Sequence, residues 1–217
     1  MDERQHIMTL DEIAHREKNP ELWTDKKSAT PGFLCHDYLR LYEREFSKWR
    51  DGRIQLLEIG VNKGASVKLW LEYFPNASVY GVDIKPFKNE VGIPPTDRFR
   101  FFQGNQSDPS FWNVLFGQLP DPFLDIIIDD GCHFSGPIHI TFNCLWSRVK
   151  PGGCYVVEDI NEVLNPDSHT PGYPNQLEFV ENLVGPVILG GNDVAEMIVS
   201  KDVCLLKKML GRARPLP

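Results

Sequence analysis

Between residues 54 and 157 the chain repeats one pattern: a short apolar run, a glycine or an acid to end it, then a stretch with helical spacing. The runs are Ile54–Ile59, Ser78–Ile84, Phe99–Gln103, Leu124–Asp129 and Cys154–Val157. Ala65–Phe74, Pro109–Phe116 and His139–Val149 carry the helical patterns, the first stopped by Pro75-Asn76 and the last by Pro151-Gly152-Gly153. Strands that are apolar on both faces belong to sheets covered on both sides, and crossover helices make such sheets parallel. After a further helix over Asn175–Leu183, Ala195–Val199 and Val203–Leu206 read as a closing antiparallel pair around Lys201-Asp202. The expectation is an α/β, doubly wound, mostly parallel seven-stranded sheet with an antiparallel last strand.

Ahead of the first strand the texture is helical. Thr9-Leu10-Asp11-Glu12 is a capping-box pattern that would turn Leu10 and Ile13 inward. Residues 20–35 read as loop, and His36–Trp49 repeats Tyr38, Leu41, Tyr42, Phe46 and Trp49 at helical spacing. Residues 1–50 are therefore expected as an N-terminal helical cap on the domain of residues 51–210, with 211–217 as a frayed tail. A length of 217 residues suits one such domain.

A formal net charge of -7 argues against a general nucleic-acid binder, which needs a basic face to displace phosphate counterions. Five cysteines without a Cys-x-x-Cys read as free thiols in a reducing compartment. Residues 1–20 are charged throughout, and no run of 18 apolar residues occurs. These features predict a cytoplasmic protein that binds neither nucleic acid nor membrane.

Ligands of open α/β sheets bind beyond the carboxyl ends of the strands. Those ends carry Glu58-Ile59-Gly60, Asp83, Gly104-Asn105-Gln106-Ser107-Asp108, Asp129-Asp130-Gly131-Cys132-His133 and Glu158-Asp159. Gly60 and Gly64 allow a tight turn close to a ligand. Asp83 can accept hydrogen bonds from both hydroxyls of a ribose; the alternative is a solvated turn residue. The loop after the first strand lacks the full Gly-x-Gly-x-x-Gly pattern, and no Walker lysine motif appears. That disfavours NAD and nucleoside triphosphates and favours S-adenosylmethionine (SAM).

The fourth and fifth strands lie side by side in a doubly wound sheet, so Asp129, Asp130, Glu158 and Asp159 should converge. Crowded carboxylates repel, and a divalent cation, magnesium for hard oxygen ligands, removes that penalty. The alternative is a pair of separate helix caps that never meet. His133, three residues after Asp130, is placed to act as a general base, or else caps the next helix.

These residues resemble the metal-dependent sugar O-methyltransferases of macrolide and polyketide biosynthesis, over about residues 8–208. The likeness is carried by Thr24-Asp25-Lys26, His36-x-Tyr38, Leu57-Glu58-Ile59-Gly60-Val61, Gly81-Val82-Asp83-Ile84 and Gly104-Asn105-Gln106-Ser107-Asp108. Its most specific parts are Ile128-Asp129-Asp130-Gly131-Cys132-His133 and Pro151-Gly152-Gly153-x-Tyr155-Val156-Val157-Glu158-Asp159. The resemblance implies a Rossmann-like fold, with Asp130, Glu158 and Asp159 on magnesium and His133, with Asp130, as catalytic groups. It implies that Thr24, Glu58, Gly60, Ser66, Asp83, Gln106, Ser107 and Asp129 serve the SAM pocket. Cys132 stands where the family usually has serine, and Asn105 where it usually has an acid.

The expected reaction is O-methylation of a small-molecule acceptor, sugar or polyketide-derived. The metal would lower the pKa of the acceptor hydroxyl and His133 would remove its proton before in-line attack on the SAM methyl carbon. Two other readings stand beside it: an enzyme related to cephamycin hydroxylation and methoxylation, and a non-catalytic SAM-binding protein. The resemblance also points to a homodimer.

Overall fold

Leu56, Leu57 and Ile59 are each at most 2% exposed, so the first apolar run is buried on both faces, as a central strand must be. The computed structural model describes residues 7–19, 22–27, 36–121, 123–190 and 193–211. In chain order its elements are α1 (Leu10–Ala14), α2 (Leu39–Phe46), β1 (Gln55–Ile59), α3 (Ala65–Tyr73), β2 (Ser78–Asp83), β3 (Phe99–Gln103) and α4 (Pro109–Phe116). There follow β4 (Leu124–Asp129), α5 (Ser135–Leu145), β5 (Val149–Val157), α6 (Gln176–Leu189), β6 (Val194–Ser200) and β7 (Val203–Lys208).

The seven strands form one sheet in the order β3-β2-β1-β4-β5-β7-β6. The first five are parallel, while β7 runs antiparallel between β5 and β6. Side chains alternate across the sheet with the period of two that strands impose. Leu56, Ile126, Ile128 and Val156 join the layer of α1, α2 and α3, where Leu10, Tyr42, Phe46 and Trp70 pack. Leu57, Ile127, Tyr155 and Val157 join the layer of α4, α5 and α6, with Trp112, Ile138 and Phe179. Burying one such large side chain contributes about 1.5–3 kcal/mol.

Local chemistry sets the helix ends. Thr9 and Glu12 form the expected capping box at α1, and Asn175 and Glu178 form another at α6. Asp108 caps α4 through Ser110 N, with Pro109 at the first helical position. Asp25, Lys26 and Lys27 accept backbone hydrogen bonds from His36, Leu39 and Asp37, which ties the segment before α2 to its start.

The region after β4 departs from expectation. The helix predicted at His139–Val149 is α5, Ser135–Leu145, with a 3-10 turn over Trp146–Arg148. Pro151-Gly152-Gly153 does not stop it; these residues lie inside β5. There the pairing with β4 slips between Leu124 and Ile126, Gly152 takes φ 80, and a side chain at Gly153 would come 2.6 Å from Asp125 O. A bulge is where a strand admits proline and glycine. Helix α6 also runs beyond the expected Leu183, to Leu189, with Pro186 inside it. Residues 212–217 of the expected tail, and Cys35, lie outside the described residues. No helix among the described residues is long and apolar enough to cross a membrane.

Candidate active site

Strand order reverses at β1, which pairs with β2 on one side and β4 on the other. A crevice opens at such a reversal, beyond the carboxyl ends of the strands. Here it is a cleft of about 830 Å³ whose walls include Gly60, Asp83, Asn105, Gln106, Asp130, His133 and Asp159. The sequence placed all of these on one rim, and the fold brings them together.

At one end, the Asp83 carboxylate accepts from the backbone N–H groups of Asn62 and Lys85, each at 2.9 Å. Its orientation is thus fixed, and each oxygen keeps accepting capacity toward the cleft. Gly104 and Asn105 border the same end. Gly60 lines the cleft and also serves packing: a Cβ there would lie 1.8 Å from Asp130 O, so the glycine lets the β4 loop close over β1.

At the other end stand Asp130, His133 and Asp159, whose potential ligand atoms all lie within 4.8 Å of one another. His133 Nε2 is 3.5 Å from Asp159 Oδ2. Tyr38 donates to Asp159 Oδ1 at 2.6 Å, and His36 Nδ1 lies 3.4 Å from the same oxygen. His133 and Asp159 both adopt left-handed backbone conformations, φ 58 and 54. Non-glycine residues do so at a cost of about 1–3 kcal/mol each, which surrounding structure must hold in place. For His133 one such restraint is Gln176 Nε2, which donates to its carbonyl at 2.6 Å.

Other expected site residues lie behind the cleft wall. Glu58 is fully buried and accepts from Ser66 Oγ at 2.8 Å and Trp70 Nε1 at 3.2 Å. Asp129 accepts from Gln106 Nε2 and Tyr155 Oη, both at 3.1 Å, while Gln106 Oε1 accepts from Cys132 N at 3.0 Å. Gln106 and Asp129 therefore shape the loop that presents His133. Thr24 lines a separate hollow beside Ala65 and Lys68, and Ser107 sits outside the cleft lining.

Glu158 was expected beside Asp130 and Asp159 on a metal. In this structure it is 1% exposed, with Oε1 accepting from Tyr42 Oη at 2.5 Å and Oε2 from Lys26 Nζ at 2.6 Å. Lys26 Nζ also donates to Asp130 Oδ2 and lies 3.7 Å from Glu58 Oε1. The sequence held Thr24-Asp25-Lys26 as a motif without assigning Lys26, and Tyr38 and Tyr42 read as an aromatic helix face and as parts of the resemblance, with no role given to either hydroxyl. The signal available was their i, i+4 spacing, which aims both hydroxyls at consecutive carboxylates.

Burial sets the electrostatics. It pushes Glu58 up to about 7 against the pull of Lys26, and Asp129 up to about 6 against its hydrogen bonds from Tyr155 and Gln106. Burial and the Asp130 charge raise Glu158 well above the glutamate range. Burial alone would lower Lys26, but Asp130, Glu158 and Glu58 together hold it well above the lysine range. The centre therefore contains one firmly charged ammonium among acids that ionise reluctantly.

No family model matches the chain. Mycinamicin VI 2''-O-methyltransferase of Micromonospora griseorubida is 36% identical over 138 residues, which is 59% of this chain and 32% of the relative. L-olivosyl-oleandolide 3-O-methyltransferase of Streptomyces antibioticus is 34% identical over 171 residues, 76% of this chain and 39% of the relative. The chain thus aligns with about a third of the length of these curated relatives. Among solved structures, MycE methyltransferase from the mycinamycin biosynthetic pathway, in complex with Mg, SAH and mycinamycin VI, superposes with TM-score 0.79 at 27% identity. That match covers 97% of this chain and 57% of MycE. The chain has the α/β methyltransferase fold of this neighbour, and its curated relatives are sugar and macrolide O-methyltransferases.

Proposed function

We propose that this chain is the catalytic domain of a SAM- and magnesium-dependent O-methyltransferase acting on a sugar hydroxyl of a polyketide-type natural product. The observation that carries the proposal is the pairing of two ends of one cleft: a fixed carboxylate at Asp83, and the Asp130–His133–Asp159 cluster opposite. The relatives' names, each a methyl transfer to an oxygen of a glycosylated or macrolide compound, supply the acceptor class.

The residues present fit both groups. Asp83, Gly104 and Asn105 offer a ribose and adenosine moiety acceptors and open backbone, and the cleft volume accommodates a ligand of that size. Asp130 and Asp159 offer hard oxygen donors to a divalent cation, with Glu158 held immediately behind by Lys26 and Tyr42. When bound, SAM supplies an electrophilic methyl group and the cation acidifies the acceptor hydroxyl.

The protein's own part is orientation and proton management. His133, turned into the cleft by its left-handed backbone and paired with Asp159, takes the hydroxyl proton at Nε2. Tyr38 holds Asp159 in the rotamer that faces it. The test is methyl transfer from labelled SAM to a panel of glycosylated macrolides, with and without exhaustive chelation. A labelled methyl group on a product oxygen, lost with EDTA and restored with Mg2+, is the expected result. Full transfer after chelation would remove the metal from the proposal, and SAM binding without transfer to any hydroxyl would remove the reaction.

A further inference from the structure

Three carboxylates, two buried and one, Asp130, partly exposed, converge on one ammonium group, which is more than an ordinary core ion pair requires. Lys26, 1% exposed, donates to Asp130 and to Glu158, and Glu58 Oε1, 3.7 Å away, makes no hydrogen bond of its own. The backbone around the lysine is tied down: its carbonyl accepts from Leu39 N, and its neighbours' carbonyls accept from His36 N and Asp37 N. One of its three acids, Asp130, is also a member of the open cluster with His133 and Asp159.

We infer that Lys26 is a resident counter-ion that shares Asp130 with the divalent-cation site and weakens that site's hold on its metal. The inference rests on the magnesium reading above. Two effects act in the same direction. The ammonium donates to Asp130 Oδ2, so a metal that reaches that oxygen must share it with a charged donor. It also places a fixed positive charge beside the site, where partial burial leaves Coulomb repulsion poorly screened. Its hydrogen bond to Glu158 must likewise be shared or displaced before that carboxylate can add a ligand. A loosely held ion can leave with each product, which suits a site whose acceptor must reach the metal.

The measurement is Mn2+ binding to the whole chain by electron paramagnetic resonance, independent of turnover. The wild type should bind one ion reversibly, Lys26→Met should bind it at least about tenfold more tightly, and Lys26→Arg should stay within about threefold of wild type because it keeps the charge. Unchanged or weaker binding by Lys26→Met overturns the inference. Absence of binding by the wild type overturns the magnesium reading first, and the two failures are therefore distinct. Should Lys26→Met fail to fold, the wild-type protein answers through its 15N-lysine ammonium spectrum. Mg2+ should shift the slowly exchanging Lys26 signal in step with binding, and a signal that stays in place at saturation overturns the inference.

Discussion

Replacing Gly60 by alanine would force a methyl group to within 1.8 Å of the Asp130 carbonyl, a backbone atom that cannot step aside. Its φ of 90 adds to the strain. Gly60→Ala is expected to lower stability by about 3 kcal/mol or more in urea titration, and to disturb the Asp130–His133 end of the cleft more than the Asp83 end. The sequence marked this glycine as a close approach to a ligand; the second approach, to the Asp130 carbonyl in the loop after β4, is revealed only by the tertiary register. His133→Ala should reduce turnover about 100-fold or more while SAM affinity by calorimetry stays within about twofold. Turnover near wild type would take the base role from His133. Its position was readable from the spacing after Asp130, whereas its pairing with Asp159 depends on the left-handed turn at both residues.

Helix α2 was legible as an amphipathic segment, and Phe46 stacks on Tyr42 with ring centroids 4.9 Å apart, as an aromatic face implies. What the pattern hid is that tyrosine is apolar along its ring and polar at its tip. The Tyr38 and Tyr42 hydroxyls reach through the core to Asp159 and Glu158. Tyr42→Phe should cost about 1–3 kcal/mol, since Glu158 then keeps a buried oxygen without its donor; thermal unfolding measures it. Tyr38→Phe should leave stability closer to wild type and lower turnover several-fold, because Asp159 reaches the solvent of the cleft and loses its orientation instead. The strand β5 was misjudged at its start because Pro-Gly-Gly is ordinarily a helix stop and a turn. Here the same residues make the bulge that carries the chain back into register at Ile126–Cys154.

Across the whole molecule, the N-terminal helices are fastened to the far side of the sheet by Lys207, which pairs with Glu45 and Glu196 at 2.6 Å each. Lys207 and Arg44 hold the Glu45 carboxyl below its usual range, although burial opposes them. A depressed glutamate contributes stability above its unfolded pKa and loses it as pH falls through the lower folded value. Glu45→Gln should therefore destabilise by about 1 kcal/mol at neutral pH and match the wild type at strongly acidic pH; a deficit independent of pH would show that the charge is not the cause. The strands and the rim of acids were visible in the sequence because strand pattern and strand-end chemistry are local. The buried position of Lys26 was not, since it depends on a segment more than a hundred residues from Asp130 and Glu158. The left-handed backbones of His133 and Asp159 have a consequence for laboratory evolution. Glycine at either position would relax the chain, so a screen for heat resistance alone should enrich His133→Gly or Asp159→Gly. Such a screen would yield hardier proteins that have discarded the chemistry, and thermostabilising this chain requires an activity gate in every round.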